Sequence, residues 1–487
     1  MRILIASSEL FPYSKTGGLA DMTAALAKYL ARAGHEVHVF TPWYRCVREA
    51  FPETADLPAA GAVEIDIGGS PLIATVHRLD LGKRLAVWFV RHDPFFDREG
   101  LYDVHTPTGR AAYPDNFARF VFFSRAVVEA MRRLELAPAI VHAHDWQTGL
   151  IPLLIRHRGW YEFWEQVPRT VFTIHNLVFQ GRAAAHQFAL TGLPAYYFHH
   201  QACEFYGDVN LLKTGIVFAD AVTTVSPRYA REITTPEFGA GLDGVLRARR
   251  RALSGILNGI DEDVWQTRAN PHLPAAYDAG HLEGKAVCKA ALQREMELPE
   301  APQTPLFGTI SRLEHQKGID LILQAWELLA DEPWQYVLLG SGDPRLEELA
   351  RVAQQRWPDR FRFVQGRDEG LAHRIEAGAD FYLMPSRYEP CGLNQMYSLR
   401  YGTVPIVHAV GGLDDAVVDE EDDPERATGI KFREPTAAAL AAAIRRALEL
   451  YAQPETLVAF RRRGMQADVG WRRAAREYVA LYRRLLR

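Results

Sequence analysis

Asp380-Phe-Tyr-Leu-Met-Pro-Ser-Arg-Tyr-Glu389-Pro-Cys391-Gly392-Leu393-Asn-Gln-Met-Tyr397-Ser-Leu-Arg-Tyr-Gly402-Thr-Val-Pro-Ile-Val-His-Ala-Val-Gly411-Gly412 is the stretch whose reading decides the fold. Phe381 to Met384 is an apolar run of strand length, ended by Pro385. Glu389 to Gly392 reads as a loop. The spacing then predicts a short helix from about Asn394 to Tyr401, closed by Gly402, and a second strand over Val404 to Val407. A strand–loop–helix–strand unit puts its loop at the carboxyl edge of a parallel sheet, where the helix N-terminus offers N–H groups to an anion. Gly392 lets the backbone approach a ligand closely, and Glu389 sets a carboxylate beside that phosphate seat. The combination suggests chemistry on a hydroxyl-rich or cationic group attached to phosphate, such as an activated sugar.

The rest of the chain is consistent with that setting. A length of 487 residues predicts two or three domains, and 48% hydrophobic with 24% charged residues is ordinary for a globular protein. The net charge of −4 argues against a general nucleic-acid binder. Cys46, Cys203, Cys288 and Cys391 lie far apart, without metal-ligand spacing, and are expected to be reduced thiols. A first strand starting at Arg2 leaves no room for a leader, and no apolar run reaches membrane-spanning length. The expected location is therefore the cytoplasm.

From the N-terminus, Arg2 to Ala6 reads as a strand and Ser8 to Gly18 as a Gly-rich loop. Leu19 to Leu30 reads as a helical stripe ended by Gly34, and Val37 to Phe40 as the next strand. This is a βαβ unit. Further strands are predicted at 63–67, 72–77, 85–90, 140–143, 170–174 and 221–225, with a long helix over 117–134. Residues 93–114 and 180–207 are predicted as long loops, and Ser226-Pro227 as a capped helix start. The Pro-bearing stretch Asn270 to Pro305 is expected to be irregular. A second strand–helix series then runs from Leu306, and an Ala-rich helix covers 436–451. An amphipathic helix ends the chain from Trp471. The economical fold is α/β, with two doubly wound, Rossmann-like domains facing a cleft. The expected boundaries are 1–253, 254–469 and a terminal helix over 470–487.

Several motifs carry candidate chemistry. Lys15-Thr16-Gly17-Gly18 opens the first helix, so Lys15 can meet a phosphate or sugar oxygen; the alternative is a glycine pair turning a corner. Walker spacing is missing. Arg312 and Lys317 follow the first strand of the second half and are placed to clamp a diphosphate and offset its growing charge; the alternative is a solvated basic face. His142-Ala143-His144-Asp145-Trp146 and Ile174-His175-Asn176 both end strands. No third ligand at metal spacing accompanies the histidines, so no metal is expected, and His142 reads as a satisfied core histidine. Asp145 and Trp146 suit a sugar, carboxylate to hydroxyls and indole to the apolar ring face. Asn258-Gly259 is a turn or a ligand contact. Gly340-Ser341-Gly342 lacks the third glycine of a dinucleotide fingerprint. Arg461 to Arg463 are expected on a solvated helix face.

Taken in order, Lys15 to Asp21, His142 to Trp146, Thr173 to Asn176, Asn258 to Asp261, Arg312 with Lys317, Glu389 to Leu393 and Gly411-Gly412 resemble the bacterial glycogen synthase and plant starch synthase family nearly end to end. The resemblance implies a GT-B fold, with the 1–253 domain on the acceptor side and the 254–469 domain on the nucleotide-sugar side. The last helix would cross back onto the first domain. It implies a retaining transfer of glucose from ADP-glucose to the 4-hydroxyl at the non-reducing end of an α-1,4-glucan, without a cofactor. Arg312 and Lys317 would hold the diphosphate in place of a metal, with Lys15 and Gly18 also at the nucleotide-sugar. Glu389, Cys391, Gly392 and Leu393 would hold the glucose, with Asn258 and His175 lining it, and Glu9, Asp145 and Trp146 would face the acceptor. Glu389, Arg312, Lys317, His175 and Asp145 would form the catalytic set. No side chain reads as a covalent nucleophile, which favours front-face displacement with the leaving phosphate taking the acceptor proton.

Two positions depart from related glycosyltransferases. Tyr397 stands eight residues after Glu389, where many have a second Glu. Arg367 stands where an aromatic ring often stacks on adenine, although a guanidinium can stack on a base as well. The rival readings are a sugar-nucleotide transferase with a lipid or small acceptor and a non-catalytic glucan-binding or regulatory protein. The first needs a membrane-facing patch that the first half lacks. The second predicts a broken phosphate clamp, yet Lys15, Arg312, Lys317 and Glu389 are all in place.

Overall fold

Ile3 to Ala6 are wholly buried because this apolar run forms the centre of a sheet covered on both faces. A computed structural model describes residues 1–106, 109–157 and 167–487. Pro107 and Thr108, within the loop expected over 93–114, lie outside the described residues. By its contacts the chain divides into two units. The first is Met1–Val225, Ala230–Ile256 and Ala474–Arg487, and the second is Ser226–Tyr229 and Leu257–Arg473.

The main sheet of the first unit contains β1 (Arg2–Ala6), β2 (Glu36–Pro42), β3 (Ala59–Ile67), β4 (Ser70–Asp80), β5 (Leu85–Arg91), β6 (Ile140–His144), β7 (Arg169–Ile174), β8 (Ala221–Thr224) and β9 (Leu253–Gly255). Their order is β9-β8-β7-β6-β1-β2-β5-β4-β3. All neighbours are parallel except that β4 runs antiparallel to both β3 and β5. The order reverses between β1 and β6, so the loops leaving these two strands emerge side by side at the carboxyl edge. That is where ligands bind in open α/β sheets. Two helices frame the site of this unit, α1 (Gly18–Arg32) and α2 (Asn116–Arg133). Phe120 to Phe123 of α2 are fully buried.

The second unit repeats the logic. Its strands are β10 (Leu306–Ile310), β11 (Gln335–Gly340), β12 (Phe361–Gln365), β13 (Phe381–Met384), β14 (Val404–His408) and β15 (Ile430–Phe432), in the order β12-β11-β10-β13-β14-β15. Every pairing is parallel. Here the reversal falls between β10 and β13, which brings the loop of Arg312 and Lys317 beside the loop of Glu389. Trp326, Trp334, Phe307 and Phe381 fill the core, the two indoles stacked at 4.4 Å. Each fully buried large side chain of this kind contributes about 2–3 kcal/mol.

Three expectations are corrected. Residues 270–305 are not irregular throughout, since α3 (Glu283–Glu295) lies within them. Its buried face carries Lys285, Lys289 and Gln293 beside Cys288 and Leu292, so no apolar stripe reveals it. Residues 180–207 contain short strands, Arg182–Ala184 and Glu204–Phe205, which pair with Asp208–Asn210 as a small antiparallel sheet. Arg461 is not on a solvated face: its Nη2 lies 2.6 Å from Asp380 Oδ1, and Lys289 Nζ lies 2.6 Å from Oδ2. Burial pushes the Asp380 carboxyl up, but Lys289 and Arg461 outweigh that and hold it low.

From Ala474 onward the C-terminal helix (Trp471–Leu485) belongs to the first unit. There, Tyr482 Oη lies 2.7 Å from His142 Nδ1, and the other ring nitrogen lies 2.6 Å from Thr173 Oγ1. His142 is thus a satisfied core histidine. Tyr482→Phe leaves Nδ1 buried and unpaired, so the protein is expected to lose about 1–3 kcal/mol in chemical denaturation. An unchanged midpoint would contradict this anchoring role.

Candidate functional site

Lys317 Nζ lies 2.6 Å from Glu389 Oε2, in a pair whose side chains are 19% and 7% exposed. Ser386 Oγ donates to the same oxygen at 3.0 Å. The loops carrying the pair are fastened to each other. Arg387 makes a two-pronged pair with Asp320 at 2.9 and 2.7 Å and donates to His315 O at 2.7 Å. Arg387 N donates to Gln316 O at 2.8 Å, and Gln316 Nε2 to Tyr388 O at 3.1 Å. Gly318 sits between them at φ +68, where a Cβ would overlap Pro385 O. Arg312 stands at the rim, 45% exposed and 2.7 Å from Glu314. The Gly340-Ser341-Gly342 run packs against its base: Leu313 N donates to Ser341 O at 3.0 Å, and a Cβ on Gly342 would overlap Leu313 O. These glycines serve close packing of the Arg312 loop.

Glu389 continues into Cys391 and Gly392. Burial pushes the Cys391 thiol up to about 12, and the backbone N–H of Asn258 opposes that by bonding to the sulfur. The thiol is therefore protonated at neutral pH and is no nucleophile. Asn258 is 4% exposed, and its Oδ1 has no hydrogen-bond partner among the described residues. A buried amide oxygen in that state favours a ligand that brings a hydroxyl or N–H to it. Leu393 caps the helix Asn394–Arg400. Arg367 is exposed beyond the end of β12. Tyr397 stacks on Trp265 at 3.6 Å and 10°, so the ring standing in for a carboxylate is held against an indole.

The two loops at the carboxyl edge of the first unit's sheet are organised around carboxylates. After β1, Glu9 accepts from Thr16 N and Thr16 Oγ1 at 2.6 Å each, from Gly17 N at 3.3 Å and from Tyr102 Oη at 2.8 Å. It shapes the loop before Gly18. A Cβ on Gly17 or Gly18 would meet nothing within 4 Å, so packing alone does not require this pair. Lys15 is 45% exposed, 2.7 Å from Asp21.

After β6, Asp145 adopts φ 58, ψ 179 and accepts from His175 N at 2.7 Å. Burial raises its carboxyl to about 7, against the backbone N–H bonds of His175 and Asn176, with Glu9 adding to the rise. Trp146 is half-buried, edge-on to Phe120 at 5.1 Å.

The histidines beside Asp145 are neutral. Burial lowers His142 and His175 to about 3 and puts His144 well below its ordinary value. His144 Nδ1 lies 3.0 Å from His175 Nε2, while His144 Nε2 is buried without a partner among the described residues. An orphaned acceptor costs less than an orphaned N–H here, so His144 carries its proton on Nδ1 and donates, leaving His175 protonated on Nδ1.

The second unit thus brings together Glu389, Lys317, Cys391, Gly392 and Asn258, with Arg312 at the rim and Arg367 apart. The first unit brings together Asp145, His175 and Trp146 around one loop pair, and Glu9, Lys15 and Gly18 around the other. Sequence reasoning missed Ser386, Asp320, Arg387, Thr16 and Tyr102, since Arg387 pairs with Asp320 67 positions away and Tyr102 with Glu9 93 positions away, and no local pattern marks Ser386 or Thr16. No group of three or more His, Cys, Asp or Glu is arranged to hold a metal among the described residues. No described helix is long and apolar enough to cross a membrane.

Comparison with known proteins bears on this arrangement. The family described as the starch synthase catalytic domain matches residues 2–248, and glycosyl transferases group 1 matches residues 294–465. A glycogen synthase of Anaeromyxobacter sp. (strain Fw109-5) is 50% identical over 487 residues, covering 100% of this chain and 99% of its own. The catalytic domain of starch synthase IV from Arabidopsis thaliana, bound to ADP and acarbose, superposes with a TM-score of 0.90 at 34% identity, covering 100% of this chain and 99% of that one. Sucrose-phosphate synthase from Thermosynechococcus elongatus, at 20% identity and a TM-score of 0.60 over 99% of this chain and 98% of its own, shares the fold.

The raised Asp145 carboxyl has a thermodynamic consequence. Between its unfolded value of 3.8 and its folded value of about 7, the folded protein keeps a proton that the unfolded chain has lost. This group therefore lowers stability as pH rises through that window, by about 1.4 kcal/mol per pH unit at most. Unfolding midpoints of wild type and Asp145→Asn, compared from about pH 4 to 7, are expected to converge or cross as the variant loses this slope. Parallel curves would contradict the raised carboxyl.

Proposed function

The chain belongs to the glycogen and starch synthase family of glycosyltransferases, with glucosyl transfer in glycogen synthesis as its reaction, and we propose that its donor is ADP-glucose and its acceptor the non-reducing-end 4-hydroxyl of an α-1,4-glucan. The observation that carries this reading is the largely buried Lys317–Glu389 pair at the strand-order reversal, with the unpartnered Asn258 Oδ1 in the same unit. A carboxylate, an ammonium and an amide oxygen suit a hydroxylated ring joined to a diphosphate.

In this reading Lys317 and Arg312 take the diphosphate and Lys15 adds a third cation, while Gly17 and Gly18 leave room for the donor. Glu389, Asn258, Cys391, Gly392 and Leu393 hold the glucose. Arg367 stacks on or pairs with the nucleotide end, and His175 lines the sugar as a neutral imidazole. Asp145 and Trp146 receive the glucan. Glu9 shapes the loop that carries Lys15.

The bond from glucose C1 to the diphosphate oxygen breaks as the acceptor oxygen attacks the same face, and the acceptor proton passes to the departing phosphate oxygen. The anomeric configuration is retained. Negative charge grows on the leaving group, which Lys317 and Arg312 meet, and positive character grows at the sugar ring, which Glu389 meets. The buried, protonated thiol of Cys391 does not serve as a nucleophile, which accords with the front-face route. The cations serve the leaving group in the role a metal takes in other glycosyltransferases. Four unbridged cysteines accord with a cytoplasmic setting.

Lys317→Ala and Glu389→Gln, each checked for folding because one partner of a buried pair is being removed, are expected to lose about 10²- to 10³-fold in kcat on labelled ADP-glucose with maltooligosaccharide. Wild type is expected to extend the oligosaccharide with ADP-glucose in preference to UDP-glucose. A folded Lys317→Ala changed only in KM, or equal use of both donors, would count against the reading.

A further inference from the structure

Arg119 is a fully buried cation in the first unit that has no role in the reading above. It donates from Nε to Phe95 O at 2.8 Å and from Nη1 to Asn116 Oδ1 at 2.5 Å, while its Nη2 has no hydrogen-bond partner among the described residues. Aromatic rings surround it, with the centroids of Tyr113, Phe120 and Phe96 at 5.0, 5.4 and 5.7 Å. Burial works against its charge and lowers its pKa. Apolar side chains of similar volume fill such a space at lower cost, so a guanidinium kept there calls for a reason beyond packing.

The hydrogen bonds lead from Arg119 to the Lys15 loop. Asn116, oriented by Arg119, donates from Nδ2 to Tyr102 O at 2.8 Å. Tyr102 Oη donates to Glu9 Oε1 at 2.8 Å and lies 2.7 Å from Ser8 Oγ. Glu9 in turn accepts from the backbone of Thr16 and Gly17. Beside Arg119, the Phe120 ring packs on Tyr102 at 5.7 Å and on Trp146 at 5.1 Å. The first turns of α2 therefore underlie both loops at the carboxyl edge of the sheet.

We infer that Arg119 is a positioning residue for the transfer, holding the Thr16–Gly18 loop, and with it Lys15, in its donor-ready shape through Asn116, Tyr102 and Glu9. The inference rests on the proposed function for what the loop meets. The planar guanidinium fork serves two acceptors in fixed directions, Phe95 O and Asn116 Oδ1, which a single ammonium does not reproduce. When the relay is cut, the loop samples more conformations and the donor must order it on binding. That cost falls on KM and leaves the chemical step nearly untouched.

The test uses the full chain with three single variants: Arg119→Met, which keeps the volume without the fork; Asn116→Asp, which removes the donor to Tyr102 O; and Tyr102→Phe, which removes the donor to Glu9. Donor KM is expected to rise about 5- to 20-fold in each, with kcat within about twofold of wild type, the scale of one or two lost hydrogen bonds. Amide hydrogen exchange at Thr16 and Gly17 is expected to quicken in parallel. If Arg119→Met does not fold, the other two variants decide. Wild-type donor KM in the folded variants overturns the inference whatever the exchange shows, as does a fall in kcat with KM unchanged. Exchange needs no turnover: an inactive wild type would defeat the proposed function, while the exchange result would still uphold or overturn the relay.

Discussion

A charge pair spanning two adjacent loops organises the second unit. Lys317 and Glu389 come from segments separated by 72 positions, yet their atoms lie 2.6 Å apart. Strands β10 and β13 are neighbours because the strand order turns back between them, and their following loops then share one edge. Arg387 with Asp320, and Gly318 against Pro385, tie the two loops to each other. A pair this buried is weak evidence for stability, since desolvation offsets much of the attraction. What the fold gains is a fixed cation beside a fixed carboxylate, the preorganisation that a reaction with charge separation requires.

The first unit solves a different electrostatic problem. Three histidines and an aspartate crowd the ends of β6 and β7, and desolvation keeps all three imidazoles neutral while lifting the carboxyl toward neutrality. The cluster thus presents polar groups with little net charge, which suits a neutral polyhydroxylated chain better than a phosphate. The ammonium of Lys15 extends instead from the loop after β1, whose backbone Glu9 shapes. The two switch-point loops of one sheet therefore offer contrasting surfaces.

Much of this was legible in the sequence, because the α/β alternation writes itself in apolar runs. Strands such as Ile3 to Ala6 and Phe381 to Leu383 are buried on both faces, and the loops after them carry the polar residues that stand out. Elements whose inner faces are polar stayed hidden. The helix Glu283–Glu295 buries Lys285, whose ammonium donates to Ala377 O, Tyr401 O and Thr403 Oγ1, and no hydrophobic period betrays such a face. Arg461 looked like one of a run of surface arginines until Asp380 was found beside it. Tyr102, a supporting residue of the site, was equally opaque, since its partner Glu9 lies 93 positions away and is fixed only by the folded chain.

In the proposed reading, the cations after β10 receive the nucleotide diphosphate. The direct measurement is the affinity for ADP, by calorimetry, of wild type and of Arg312→Ala/Lys317→Ala. Binding is predicted to weaken by about 100-fold or more in the double variant, the worth of two charge-assisted phosphate contacts. An unchanged Kd in a folded double variant would contradict the account.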